Sequence, residues 1–217
     1  MDWNKLQSRQ IALQSLAQYM AQRWKSGDPI QLLFVCTHNS RRSQIAQALA
    51  PFLFRRMAIE MSESADRNRS SESYARASLQ SFSGGTEATM VHPNTVAALL
   101  RAGFSNATRQ DTESSVTERL LDPDGEPIQL FSKIIQDSAN PTHGFAAVMV
   151  CSSADAGCPV VAGADARISL PFEDPGQMDN TPEADATYDG AVASIAGDLA
   201  AIFSIFRAMV GFPDRGA

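Results

Sequence analysis

The chain has 217 residues, 44% hydrophobic and 19% charged, enough to bury one core and somewhat long for a single compact domain. A formal net charge of -6 and a pI near 5.0 argue against a general nucleic-acid binder, which carries a basic excess or stripe, so an anionic ligand needs a local site. By pattern no apolar run approaches the roughly 20 residues that span a bilayer and no signal-peptide core is present, so a soluble cytoplasmic protein is expected; three cysteines make no disulfide scaffold and leave at least one thiol free.

In chain order, Leu6, Ile11, Leu13, Leu16, Tyr19 and Met20 fall roughly on helical spacing and predict an added amphipathic helix over Trp3 to Trp24. Its two readings are a packing arm over the core and a dimer contact. Gly27-Asp28-Pro29 ends it, because proline lacks the amide hydrogen and glycine supplies the turn. Ile30 to Val35 reads as a buried strand that runs directly into Cys36, and Gln44 to Phe54 as a helix. Ser62 to Ser78 is polar and reads as a flexible surface insertion. Leu79 to Ser83 predicts a second strand, and His92-Pro93 opens a helix that runs to Gly103.

From Asn106 to Glu126 the pattern predicts polar loop with at most one short helix. Ile128 to Ile135, Phe145 to Val150 and Arg167 to Leu170 predict three further strands, and Pro182 to Met209 a long terminal helix. Strands alternating with helices imply a three-layer α/β fold, a central parallel sheet of about four strands with helices on both faces. The division expected is a helical extension over 1–29 and an α/β domain over 30–210.

The chemistry concentrates at Cys36-Thr37-His38-Asn39-Ser40-Arg41-Arg42-Ser43. A strand that turns into a helix N-terminus offers several amide hydrogens at one point, where the helix dipole favours negative charge. The same field makes a thiolate available at neutral pH. Arg42, with five residues between it and Cys36, can return toward a bound anion with a bidentate guanidinium. Ser40 and Ser43 can donate hydroxyl hydrogens, and Asn39 suits a left-handed loop residue. His38 reads as a pocket-lining or a surface histidine, and Arg41 as a solvated charge or a contributor to the positive field. The candidate oxyanion-binding set is thus Thr37, His38, Asn39, Ser40, Arg41, Arg42 and Ser43. A buried apolar cysteine before an ordinary helix start is the bland alternative; the strand before Cys36 and the helix after it disfavour that.

The stretch from Val35 to Gln44 resembles the active-site loop of low-molecular-weight tyrosine phosphatases and of the thioredoxin-coupled arsenate reductases that share their fold. The resemblance runs roughly from Gln31 to Arg207 and takes in Ser83-Gly84-Gly85-Thr86-Glu87 and Phe172-Glu173-Asp174-Pro175. It implies that Asp174 is the general acid, protonating an otherwise poor leaving group.

Two branches of that family differ in what they ask of the other cysteines. A phosphatase needs only Cys36; a reductase draws electrons through successive thiol-disulfide exchanges. Cys151 and Cys158, followed by Pro159, resemble the second and third cysteines of the arsenate reductases, with Cys36 as nucleophile, Cys151 the first resolving thiol and Cys158 the second. From the residues alone, Cys151 also reads as a strand-end hydrophobe and Cys158 as a loop thiol. A two-cysteine metal site lacks a neighbouring histidine, so no metal is expected. Gln44 follows Ser43 as in the reductases, and Gly176 follows Asp174-Pro175 where tyrosine phosphatases place an aromatic. His38 and Arg41 depart from the loop's usual glycine and cysteine or alanine. Gln47 stands where some reductases carry a glutamate that helps bind potassium, and that ion site is not carried over. The N-terminal helix, the Ser62 to Ser78 insertion and the Asp122 to Pro127 loop are extra to the family fold. The resemblance therefore implies an arsenate reductase with no tightly bound cofactor and an external thiol reductant such as thioredoxin. The alternatives are a phosphomonoesterase and a non-catalytic oxyanion-binding or redox-sensing module.

Overall fold

The computed structural model describes residues 3–64, 79–111, 116–158 and 160–211. Its helices are Trp3–Ser26 (α1), Arg42–Ser64 (α2), Pro93–Arg101 (α3), Ser152–Gly157 (α4) and Ala184–Met209 (α5). Its strands are Ile30–Cys36 (β1), Leu79–Gly85 (β2), Ser105–Asp111 (β3), Val116–Leu121 (β4), Pro127–Phe131 (β5), Phe145–Met149 (β6) and Ala164–Ser169 (β7). A 3-10 turn spans Pro175–Met178.

Four strands form a parallel sheet of order β2-β1-β6-β7. Leu32 to Cys36 of β1 and all of β6 are buried. Because successive strand residues point to opposite sides, both faces of these two central strands are covered. The register sets Val35 beside both Gly84 and Met149, so the carboxyl ends of β1, β2 and β6 lie side by side. That edge is where an open α/β sheet holds ligands.

Helix α1 packs along α5 and touches β1 and β7. It buries Ala12, Leu16, Ala17, Tyr19, Met20 and Ala21 in the common core. The Tyr19 hydroxyl donates to the carbonyl oxygens of Gln31 (3.1 Å) and Gly144 (3.0 Å), and burial pushes its pKa up to about 12. Arg9, farther along α1, donates to the Pro171 carbonyl at 3.0 Å and pairs with Asp198 at 2.6 Å. Helix α5 is long and apolar enough by composition to cross a bilayer, although Asp185, Asp189, Asp198 and Arg207 interrupt it. Its stripe Tyr188, Ile195, Leu199, Ile202 and Phe206 is buried, and the helix packs on α1, α2 and α3.

Two expectations are corrected. The stretch Asn106 to Glu126 is not loop with a short helix: it contributes β3 and β4 to a separate antiparallel sheet of order β3-β4-β5. The strand expected over Ile128 to Ile135 belongs mostly to that sheet and ends at Phe131, leaving a single Gly85 to Ile134 bridge back toward the parallel sheet. Every described side chain of β3 is exposed, so backbone pairing with β4 defines this strand and no alternating apolar pattern announces it. Helix α2 also runs past Phe54, through Pro51, to Ser64. Most of the polar insertion read over Ser62 to Ser78 lies outside the described residues.

Candidate active site

Strand β1 ends at Cys36 and α2 begins at Arg42, so five residues carry the turn between them. Their carbonyls are held from outside the turn. Cys36 O accepts from Thr86 N (3.2 Å), Thr37 O from Glu87 N (2.8 Å), and Ser40 O from His92 N (3.0 Å) and Thr95 Oγ1 (3.2 Å). His38 O accepts from Thr89 Oγ1 (3.1 Å) and Ser132 Oγ (3.0 Å), and Asn39 O from Gln44 Nε2 (2.9 Å). With the carbonyls fixed outward, the amides of the turn face its hollow at a helix N-terminus, which suits an oxyanion. Gly85 permits the close approach of the two segments: a Cβ there would lie 2.6 Å from Thr37 O and collide with Glu87 O.

Asn39 takes the left-handed conformation at φ 47°. Its side-chain oxygen accepts from Lys133 N (2.9 Å) and Gln44 Nε2 (3.0 Å), which fixes the amide so that Nδ2 donates to Ser43 Oγ at 2.9 Å. The Ser43 hydroxyl hydrogen is then directed at Cys36 Sγ, 3.0 Å away, and Asn39 N adds a second donor at 3.2 Å. Both donors point at the Cys36 sulfur.

Lys133 itself is 4% exposed, with its ammonium 4.2 Å over the Phe131 ring. Burial pushes its pKa down to about 8, against the opposing pull of Asp137. The folded amine holds fewer protons than the unfolded one between about pH 8 and pH 10.5, so its burial cost is complete below pH 8 and fades as pH climbs through that window. Lys133→Met is expected to stabilise the fold by about 1–2 kcal/mol at pH 7, the lost cation–π contact offsetting part of the gain. Urea unfolding of both chains at pH 7 and pH 10 checks this. An equal difference at the two pH values rules out the charge as its cause.

The catalytic candidates meet here. Arg42 donates through Nη1 to Phe172 O (2.8 Å) and through Nη2 to Asp174 Oδ2 (2.7 Å). Asp174 caps the 3-10 turn, its Oδ1 accepting from Gly176 N at 3.0 Å. Cys36, Thr37, His38, Ser40, Arg41, Arg42, Ser153 and Asp174 line one cavity of about 190 Å³, large enough for a tetrahedral oxyanion. Asn39 and Ser43, fully buried, brace that cavity and do not line it. His38 is half exposed, its Nε2 3.7 Å from Glu87.

Arg41 departs from the solvated charge expected of it. Its Nε donates to Tyr188 Oη (2.7 Å) and its Nη2 to Asp179 Oδ2 (2.5 Å). Tyr188 Oη donates to Asp179 Oδ1 (2.8 Å) and lies 3.1 Å from His92 Nδ1, while Asn94 Nδ2 reaches Asp179 Oδ1 at 3.3 Å. Burial alone would raise the Asp179 carboxyl, but the Tyr188 hydroxyl and Arg41 outweigh it and hold the pKa below the usual range. Burial and Arg41 lower His92, against Asp179. Asp179 therefore offsets the charge of Arg41. Asp179 and Tyr188 are invisible to motif reading, lying 138 and 147 positions from Arg41.

Cys151 caps α4 and is 1% exposed; its Sγ accepts from Ala154 N (3.3 Å) and lies 3.5 Å from Thr37 Oγ1. Cys158 caps the far end of α4, is partly exposed, and donates to Val160 O at 3.4 Å. Arg167 ties the helix down through Asp155 O (2.5 Å) and Cys158 O (3.0 Å). Gln47 accepts from Ser83 Oγ (2.5 Å) and donates to Gln129 O (3.2 Å). Among the described residues no three His, Cys, Asp or Glu side chains group to hold a metal.

Fold and site together give an α/β protein with a cysteine-led turn, of a geometry suited to an oxyanion, at the carboxyl edge of a parallel sheet. Solved structures similar to the chain include arsenate reductases and phosphatases. One, of an arsenate reductase in the phosphate-binding state, is 16% identical, with 81% of this chain and 97% of that chain covered and a TM-score of 0.45. A low-molecular-weight phosphotyrosine phosphatase from Vibrio cholerae O395 is 14% identical, with 81% and 95% covered and a TM-score of 0.47. A thioredoxin-dependent arsenate reductase from Corynebacterium glutamicum is 21% identical, with 89% and 70% covered and a TM-score of 0.36. No protein-family model and no curated protein matches the chain.

Proposed function

We propose that the chain is a thiol-dependent arsenate reductase working through Cys36, Cys151 and Cys158. The observation that carries this reading is the position of Cys151 two residues past the end of the strand next to the nucleophile's own, 3.5 Å from the side chain of Thr37, with Cys158 one short helix away. Phosphate-ester hydrolysis has no use for that pair.

Arsenate is held in the 190 Å³ cavity by the loop amides and Arg42. The Cys36 thiolate attacks arsenic, forming a sulfur–arsenic bond, and the departing oxygen leaves as water after Asp174 supplies a proton. The Cys151 thiolate then attacks Cys36 Sγ. A Cys36–Cys151 disulfide forms, the sulfur–arsenic electron pair passes to arsenic, and arsenite leaves with arsenic reduced by two electrons. Cys158 attacks Cys151, freeing Cys36 as thiolate and moving the disulfide to the partly exposed end of α4, where an external dithiol of the thioredoxin kind reduces it. An anion on Arg42 competes with Asp174 for the guanidinium, which frees the carboxyl for proton transfer.

Free thiols counted by mass spectrometry, after the reduced chain meets one equivalent of arsenate, test the reading. Arsenate is expected to convert two of the three thiols to a Cys151–Cys158 disulfide with release of one arsenite, and phosphate to convert none. Survival of all three thiols with arsenate overturns the cascade.

One observation favours a second reading, phosphomonoester hydrolysis through a Cys36 phosphocysteine. A groove of about 930 Å³ between α1 and the segment from Arg167 to Gln177 shares Arg42, Ser153 and Asp174 with the small cavity, leaving room for an organic group on the oxyanion. Release of phosphate from a phosphomonoester with all thiols intact supports it.

A further inference from the structure

Arg41 follows Ser40 in the oxyanion loop, yet its guanidinium lies beneath the turn that carries the acid. A Cβ built on Gly176 would stand 2.7 Å from Arg41 Cζ and 2.9 Å from its Nε, so the turn's backbone rests directly on the guanidinium plane. Gly176 N is the donor to Asp174 Oδ1. The same guanidinium holds Asp179, whose own N–H donates to Gly176 O at 3.2 Å and closes the turn. Fully buried Tyr188 on α5 and Asn94 at the start of α3 anchor Asp179 from the other side. Arg41 thus packs against the middle of the turn at Gly176 and holds its closing residue, Asp179, in a turn that opens with Asp174, while its backbone belongs to the loop that follows Cys36.

We infer that Arg41 is a positioning residue that locks Asp174 over the oxyanion cavity, and that it is not an oxyanion ligand. It fixes the distance between the proton donor and the atom attacked by Cys36, leaving anion binding to Arg42 and the amides. Gly176 belongs to the same device, because any side chain there would displace the guanidinium. The substrate side of this inference rests on the reductase reading above; the geometric side does not.

The test uses the full chain and the variants Arg41→Ala, Gly176→Ala and their combination. Three quantities are read: affinity for inorganic phosphate by calorimetry, the rate of the first thiol consumption by saturating arsenate, and hydrogen exchange at the Gly176 amide. Arg41→Ala is expected to leave phosphate affinity within about threefold, to slow the arsenate event by about 10- to 100-fold, in the range of a mispositioned general acid, and to speed Gly176 exchange at least tenfold while β1 and α2 amides stay protected. Gly176→Ala is expected to slow the event similarly in the parent chain and to add little in the Arg41→Ala background, since both changes break one contact. Parallel losses of phosphate affinity and rate in Arg41→Ala make Arg41 an anion ligand and overturn the inference. Unchanged Gly176 exchange, or fully additive effects of the two changes, overturns it as well. If the parent chain consumes no thiol with arsenate, the reductase reading fails, and phosphate affinity with Gly176 exchange still decides the role of Arg41.

Discussion

Arg42→Lys is expected to slow the first arsenate-driven thiol event by about 10²–10³-fold and to weaken phosphate binding in parallel, the scale of losing one preorganised oxyanion donor. Arg42 lines the cavity, and its fork also meets Phe172 O and the acid candidate's Asp174 Oδ2. A guanidinium can hold a backbone carbonyl and still turn a second N–H toward an anion; an ammonium is a point charge that serves one partner well. The side chain is largely shielded from water, at 14% exposure, so the charge left behind by lysine is poorly placed and incompletely screened. Phosphate calorimetry beside stopped-flow thiol consumption checks the pairing of the two losses. A slowed rate with undiminished phosphate affinity would move Arg42 from anion ligand to scaffold. The contrast with Arg41→Ala, where rate alone falls, separates the two adjacent arginines by function.

That separation also marks where the sequence stops being informative. The buried strand from Ile30 and the Cys36 to Ser43 turn are legible because their logic is local: an apolar run, a thiol at its end, polar turn residues and a helix start. Arg41 lies within the same motif, yet its role depends on Asp179 and Tyr188, brought to it by the packing of α5 against α3. Strands β3 and β4 are illegible in the sequence for a related reason. Ser-Asn-Ala-Thr-Arg-Gln-Asp has no apolar alternation and is held by ladder bonds to β4, whose Glu118 and Thr117 are buried polar residues on a strand that reads as surface. Helix α1 was legible as a helix but not as a wall of the groove beside Asp174, since its Arg9 reaches Pro171 across 162 positions.

Cys158→Ser is expected to yield one arsenite per chain and then stop. The first two steps need only Cys36 and Cys151, so the variant should pass through them and accumulate the Cys36–Cys151 disulfide. Those sulfurs belong to residues 4% and 1% exposed, where an external dithiol has no line of attack. In the proposed cascade Cys158 is the exit, partly exposed and next to Val160, which is 78% exposed. The exit requires motion, because seven helical steps from Cys151 to Cys158 span roughly 10 Å, whereas a disulfide brings its Cα atoms within about 7 Å. On the proposed cascade helix α4 has to unwind as the disulfide moves outward, releasing the Arg167 bonds to Asp155 O and Cys158 O. Oxidised parent chain is accordingly expected to lose amide protection over Ser152–Gly157, and the Cys158→Ser chain to keep it after its single event. Arsenite release over time, with a thioredoxin-type reductant in excess, reads the first expectation, and hydrogen exchange reads the second. Sustained turnover by Cys158→Ser at the parent rate would remove Cys158 from the cascade. Protection of α4 retained in the oxidised parent would instead place the final disulfide between other sulfurs.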